Sequence, residues 1–332
     1  MPADTKRANM SQQADSKIID VAVGVISRHD GQVLLAQRPP GKPYAGWWEF
    51  PGGKLEAGEC VHQALARELS EELGLQVHRS SAWLVREHTY EHARVRLHFR
   101  RVTDFSGEPQ SREGQAFTWS FPGEATVEPL LPATVPLMRL LSLPALYAIS
   151  GVYLNGPDAF LDQLDTALIR GQIMVQLREP KLSATQFASV FDQTHDLCRQ
   201  HGAILLVNSC HPASYWERAD GVHLRSEDMA SLPGRATGDI RRLEWIGASC
   251  HNLTEVQHAV RIGADFVTLS PVKPTRSHPG AEPIGWPGFT SLVEHSAAPA
   301  YALGGLVRAD LSDARAAGAH GIAMIRGVFG PG

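Results

Sequence analysis

Eight short apolar runs recur in the second half of the chain, at residues 147–150, 173–177, 204–208, 221–224, 245–249, 266–270, 300–303 and 321–325. Each is four or five residues long, the length of a strand buried on both faces rather than of a helix. Helical patterns separate them, at 159–170, 184–201, 253–262 and 309–317. Strand–helix alternation predicts a parallel sheet. Eight repeats predict its closure into an α/β (β/α)8 TIM-type barrel over residues 147–330. Such barrels carry their sites at the carboxyl ends of the strands.

The first half reads differently. Strand patterns occupy 18–27 and 32–37, followed by a loop rich in proline and glycine. A helix runs from about Cys60 to Leu73, with Gly74 at its natural stop. Further strands are expected at 82–90, 95–105 and 116–121, and a short apolar helix ends near Leu143. Strands around one helix predict an α+β domain over 18–142. Residues 143–146 read as a linker, and residues 1–17 as a disordered, polar lead-in without the apolar core of a signal peptide.

The helix holds the chemistry. Glu68, Glu71 and Glu72 fall within roughly one third of its circumference, and Leu65, Leu69 and Leu73 form an apolar stripe beside them. Such a trio also suits a solvated helix face. Convergent carboxylates would suit a hard cation such as magnesium, and a glycine turn ahead of them would suit polyphosphate. The net charge of −4 argues against long nucleic acid as a partner. Four scattered cysteines without a C-x-x-C argue for free thiols in a reducing compartment. No apolar run approaches the roughly 18 residues of a membrane span, so a cytoplasmic protein is expected.

Gly53, Glu59, Arg67, Glu68, Leu69, Glu71, Glu72, Gly74 and Leu75 match the Nudix box at every position. Residues 18–142 therefore resemble a Nudix hydrolase, and the flanks resemble the MutT type. The resemblance implies hydrolysis dependent on Mg2+ or Mn2+, taking oxidised purine nucleoside triphosphates such as 8-oxo-dGTP to monophosphate and pyrophosphate. It implies Glu71, Glu72 and the Gly52 carbonyl as metal ligands. Glu68 would be a ligand or would orient water, Arg67 would hold the carboxylates in register, and Glu59 would be a further metal or structural carboxylate. Glu113 matches a further metal-binding glutamate or base. Arg38 and Phe50 match base-pocket residues, although Phe50 read alone suits a core position equally. Gly53 and Thr134 complete the implied substrate site. Thr134 stands where the family has an asparagine, and a single hydroxyl cannot make that residue's paired contact with a purine edge.

Residues 146–330 resemble thiamine phosphate synthase and its TenI relatives, through Val175-Gln176-Leu177-Arg178, Leu206-Val207-Asn208, Gly221-Val222-His223-Leu224, Ser249-Cys250-His251, Ser270-Pro271-Val272-Lys273-Pro274-Thr275 and Leu303-Gly304-Gly305. The likeness implies that Gln176, Arg178, Asn208, Gly304 and Gly305 bind a thiazole or pyrimidine phosphate. The synthase pattern has Asn-Asp where this chain has Asn208-Ser209, so Asp228 is left as a single magnesium aspartate. Its P-T-x-T-K phosphate loop is Pro274-Thr275-Arg276-Ser277-His278 here. TenI-type tautomerases need no metal and use a histidine, for which His251 is the candidate; a structural rim residue is the equal alternative. A thiamine-pathway diphosphatase, or a barrel that senses a ligand, are the competing readings of the fusion.

Overall fold

The computed structural model describes residues 18–171, 173–232, 239–275 and 280–329. The expected lead-in 1–17 and residues 276–278 of the phosphate loop lie outside the described residues. The chain divides into two compact units between Leu141 and Ser142.

The first unit holds two small sheets. Strands β1 (Ile19–Ile26), β2 (Val33–Gln37), β3 (Trp48–Glu49) and β4 (Gly52–Lys54) precede helix α1 (Val61–Leu73). Strands β5 (Gln76–Thr89), β6 (Arg94–Ser106) and β7 (Phe117–Ser120) and helix α2 (Val135–Leu141) follow. One sheet runs β4-β1-β6-β5 and the other β3-β2-β7. β1 is parallel to β6 and antiparallel to β4, so the glycine turn lies beside the middle of β1. α1 buries Ala64, Leu65, Leu69 and Leu73 against Ala22, Ile26, Leu34 and Val102. Each buried leucine contributes about 2 kcal/mol. Gly74 is left-handed at φ 71°, and its N–H reaches Ser70 O while that of Leu75 reaches Leu69 O. This left-handed glycine cap ends the helix where the sequence predicts. β5 starts six residues ahead of its predicted start, because the polar stretch 76–81 pairs with β6 across register shifts.

The second unit is a closed parallel barrel of β8 (Leu146–Ile149), β9 (Met174–Leu177), β10 (Leu205–Asn208), β11 (Gly221–Leu224), β12 (Trp245–Cys250), β13 (Phe266–Leu269), β14 (Ala300–Leu303) and β15 (Gly321–Met324). All eight predicted runs are its strands. The outer helices include α3 (Val152–Asn155), α4 (Pro157–Ile169), α5 (Ala184–His201), α6 (Ala213–Trp216), α7 (Ser226–Met229), α8 (Leu253–Ile262), α9 (Gly285–Val293), α10 (Leu311–Ala316) and α11 (Arg326–Phe329). α9 escapes the sequence reading because it contains Pro287 and Gly288. The proline sits in the first turn, where a missing N–H costs nothing. Residues 143–146, read as a linker, are bonded into the barrel instead. Leu143 O accepts from His320, Pro144 O from Tyr301 and Ala145 O from Ile322, while Leu146 opens β8. Among the described residues, no helix is long and apolar enough to cross a membrane.

Candidate active site

A cavity of about 500 Å³ opens in the first unit. Its lining is in part acidic and polar, with Glu68 and Glu72 from α1, Glu113 from the loop before β7, and Gly52, Gly53 and Lys54 from the turn, and in part apolar and aromatic, with Ile19, Val21, Val95, Leu97, Tyr44 and Tyr90. Arg38, Lys42, Glu49 and Gln115 also line the cavity.

Arg67 organises the acidic part. Its Nε and Nη2 donate to both oxygens of Glu59 at 2.8 and 3.0 Å, and its Nη1 to Glu68 at 2.9 Å and Glu71 at 3.3 Å. Nη2 also reaches Lys54 O at 3.1 Å, which ties the helix to the turn. Hydrogen bonds from Arg67, then from the Glu56 amide, hold the Glu59 carboxyl down to about 2. Glu59 is thereby a structural partner of Arg67. A Cβ on Gly53 would lie 2.1 Å from the Glu68 carboxyl carbon, so only glycine admits that side chain here.

Glu72 has the opposite environment. Its side chain is 14% exposed, and burial pushes its carboxyl up to about 7, with Glu68, Glu113 and Glu49 adding to the rise. The nearest cation, Lys42, stands 3.8 Å from Glu72 and 3.7 Å from Glu113, beyond hydrogen-bond reach. Gln115 donates to Glu72 O at 2.9 Å and accepts from the Glu113 amide at 3.0 Å, fixing that loop against α1.

The expected convergence of three glutamates is only partly present. Glu68 and Glu72 face the cavity, whereas Glu71 is 58% exposed, bonded to Arg67 and outside the lining. Among the described residues, no group of three His, Cys, Asp or Glu side chains is arranged to close on one ion. The donor chemistry still fits a hard dication: oxygen only, with more negative charge than Lys42 and Arg67 balance. Phe50 and Thr134, expected in the base pocket, do not line the cavity. Phe50 is 3% exposed and packs edge-on to Phe99. Thr134 is also 3% exposed and opens α2, its carbonyl accepting from Leu137 and Met138. Arg38 does line it, bonded to Glu49 at 2.5 Å and to Pro43 O at 2.7 Å.

The barrel interior carries a directional chain of hydrogen bonds. Asn208 donates to Gln176 at 2.9 Å, and Gln176 to the Tyr147 hydroxyl at 2.9 Å. That hydroxyl, its acceptor side used, donates to His223 Nδ1 at 3.0 Å, and His223 Nε2 bonds Ser249 at 2.9 Å. Burial, with help from Arg178, holds His223 down to about 3, so it is the neutral ring this chain needs. Nearby, the buried Glu179 accepts from Ser150 at 2.6 Å and from the Val152 amide at 2.9 Å.

The family model described as "NUDIX domain" matches residues 22–140, and that described as "Thiamine monophosphate synthase" matches residues 146–328. The CTP pyrophosphohydrolase of Escherichia coli is 44% identical over 129 residues, 37% of this chain and 90% of that protein. The 8-oxo-dGTP diphosphatase of Haemophilus influenzae is 42% identical over 105 residues, 32% of this chain and 77% of that protein. The thiamine-phosphate synthase of Chloroflexus aurantiacus is 34% identical over 185 residues, 55% of this chain and 84% of that protein. The chain belongs to both families, NUDIX first and thiamine monophosphate synthase second.

In the thiamine monophosphate synthase domain, the structure puts Gln176 and Asn208 inside the barrel and leaves Arg178 and His251 exposed at its rim. His251 Nδ1 donates to Ser270 O at 2.8 Å, which leaves Nε2 as the basic nitrogen. Gly304 and Gly305 follow β14, with Gly304 O accepting from the Lys273 amide at 3.0 Å. Asp228 is held in an ion pair. Arg225 donates to both its oxygens at 2.7 and 2.9 Å, and the Ser209 hydroxyl bonds it as well. Burial raises the Asp228 carboxyl, but the bonds from Arg225 and Ser209 outweigh this and hold it below the usual carboxylate range. In the NUDIX domain, sequence reasoning missed Lys42, Tyr44, Glu49, Tyr90 and His92 as lining residues. In the barrel it missed Tyr147. The alternation of side chains along β8 and β11 is the signal that places Tyr147 and His223 on one face.

Proposed function

We propose that the NUDIX domain is a nucleoside triphosphate pyrophosphohydrolase dependent on Mg2+ or Mn2+, releasing a nucleoside monophosphate and pyrophosphate. The observation that carries this reading is one cavity lined both by the carboxylates Glu68, Glu72 and Glu113 and by the apolar and aromatic Val21, Leu97, Tyr44 and Tyr90. A nucleotide needs both kinds of lining, one for its metal-bound phosphates and one for its flat ring. Oxidised purine triphosphates such as 8-oxo-dGTP belong in the substrate range, as do cytidine triphosphates. Relatives named for each share over 40% of the matched residues.

Glu68, Glu71, Glu72, Glu113 and the Gly52 carbonyl would hold the metal. When bound, it would neutralise the polyphosphate and make a water nucleophilic near neutral pH. Arg67 holds Glu68 in place against the turn. Glu113, set by Gln115, would be either a further ligand or the base that receives a proton from the attacking water. Lys42, which bridges Glu72 and Glu113 only loosely, is free to move onto a phosphate oxygen. The test is a panel of CTP, dGTP, 8-oxo-dGTP and thiamine diphosphate with Mg2+ on the intact chain, with product identification. Turnover of thiamine diphosphate in preference to all the nucleotides would replace this reading with a thiamine-pathway one.

A second reading concerns the barrel and rests on Asp228, whose partners are Arg225 and Ser209. The barrel binds a thiazole or pyrimidine monophosphate without metal, at the rim formed by Arg178, His251, Gly304 and Gly305. His251 Nε2 is the acid–base atom. Calorimetric titration of a thiazole phosphate in EDTA tests it, and absence of binding refutes it.

A further inference from the structure

The aromatic wall of the NUDIX cavity is built from two segments far apart in sequence. Tyr44 comes from the loop after β2, and Tyr90 and His92 from the turn joining β5 to β6. Tyr44 lies 5.5 Å from Tyr90 and 6.1 Å from His92, and Tyr90 lies 5.6 Å from His92 at 24°. Tyr44 adopts φ 61°, a left-handed conformation that a bulky side chain takes only under constraint. The constraint is visible. Gly46 N donates to Arg38 O, Trp47 N to Tyr44 O and the Gln37 side chain to Gly46 O, so the loop is held with the ring at the cavity.

Beside this wall stands the Arg38–Glu49 pair. One Glu49 oxygen accepts from Arg38, and the other has no hydrogen bond among the described residues. Arg38 uses Nε and Nη1 and has no bond at Nη2 among the described residues. The pair therefore presents one acceptor and one donor side by side at the cavity. Cytosine and guanine display the complement, an exocyclic amine next to an acceptor atom. Uracil puts a carbonyl oxygen where cytosine has its amine, and that oxygen would face a carboxylate.

We propose that this cavity selects bases carrying an exocyclic amino group: Glu49 accepts from the amine, Arg38 donates to the adjoining acceptor, and the wall of Tyr44 and Tyr90 packs against the ring. The proposal rests on the nucleotide reading above and adds to it the base class and the residue that sets it. Stacking is indifferent to base identity, whereas a site built to bond an amine rejects a ring without one.

The experiment compares kcat/KM for CTP and UTP, with Mg2+, in the intact chain. The unaltered protein should favour CTP by about tenfold or more. Glu49→Gln should lower the ratio severalfold, because the amide can donate to the uracil carbonyl as well as accept from cytosine, while the uracil N3–H facing Arg38 keeps part of the preference. Tyr44→Ala and Tyr90→Ala should raise KM for both nucleotides and leave the ratio unchanged. Should Glu49→Gln not fold, dGTP against dITP asks the same question of the unaltered protein, since dITP lacks only the amine. Calorimetric binding of CMP against UMP in EDTA reads the preference without turnover. Equal use of CTP and UTP, or an unchanged ratio in Glu49→Gln, overturns the proposal. Absence of nucleotide turnover together with a CMP preference would overturn the hydrolase reading and leave the base assignment standing.

Discussion

Two buried polar clusters, one in each domain, answer burial in opposite ways. In the barrel, Asn208, Gln176, Tyr147, His223 and Ser249 bond in series, and Asp228 is matched by Arg225. In the NUDIX cavity, Glu72 is buried among Glu68, Glu113 and Glu49, with its nearest cation 3.8 Å away. A satisfied network fixes a shape. Charge left uncompensated is a capacity to bind something positive, and its cost to the fold is supported elsewhere. The proposed phosphate chemistry of the NUDIX cavity rests on this contrast, and four measurements test it.

The largest effect is expected from Glu72→Gln. Pyrophosphate release should fall by about a hundredfold or more, since this carboxylate faces the cavity. The same variant should melt higher than the unaltered chain in EDTA at pH 8. Removing a buried charge without a bonded partner should return up to about 3 kcal/mol, the worth of a carboxyl raised from 4.5 to about 7. Loss of activity with a lower melting point would mean that Glu72 is structural.

The pH dependence of stability should then run in opposite directions at the two clusters. Glu72 binds its proton more tightly folded than unfolded, so its part of the stability falls as pH rises from about 4.5 to about 7. His223 binds its proton less tightly folded, so its part is complete above about 6.5 and is lost as pH falls towards about 3. Local hydrogen exchange in EDTA separates the two slopes. Glu72→Gln should flatten only the one read on α1, and His223→Gln only the one read on β11.

How far these clusters were legible in the sequence depended on whether their residues are neighbours in the chain. Eight apolar runs at regular spacing define the barrel locally, and the box from Gly53 to Leu75 sits on one turn and one helix. The aromatic wall is not local. Tyr44 and Tyr90 meet only because the sheets bring together a loop and a hairpin turn 46 residues apart. Glu49 and Phe50 show a finer limit: they are adjacent, and in an extended segment one side chain faces the cavity and the other the core. A motif match picks the pair, and only the fold says which member points inward. Likewise Pro144 reads as a linker residue until its carbonyl is seen to accept from Tyr301.

Tyr147→Phe should cost about 1–3 kcal/mol, because it leaves Gln176 and His223 buried without their shared partner. Nucleotide turnover should be unchanged. A large loss of turnover would show that the barrel network governs the NUDIX cavity, and the contrast between a shape-fixing and a reactive cluster would fail.

The smallest effect is the most discriminating. With Glu68→Gln and Glu72→Gln combined, Mg2+ should no longer raise the melting temperature measurably, since a ligand stabilises only as far as its concentration exceeds its dissociation constant. In the barrel, Arg225 bonds both oxygens of Asp228. Adding Arg225→Ala to that chain frees the carboxylate, and a small Mg2+-dependent rise of up to about 1 kcal/mol should appear. A rise already present before that substitution would mean that a magnesium site remains without Glu68 and Glu72, either on Glu71 and Glu113 or in the barrel. A rise that appears only after it would mean that the guanidinium of Arg225 occupies the place a cation could take, so that one substitution separates the balanced domain from the unbalanced one.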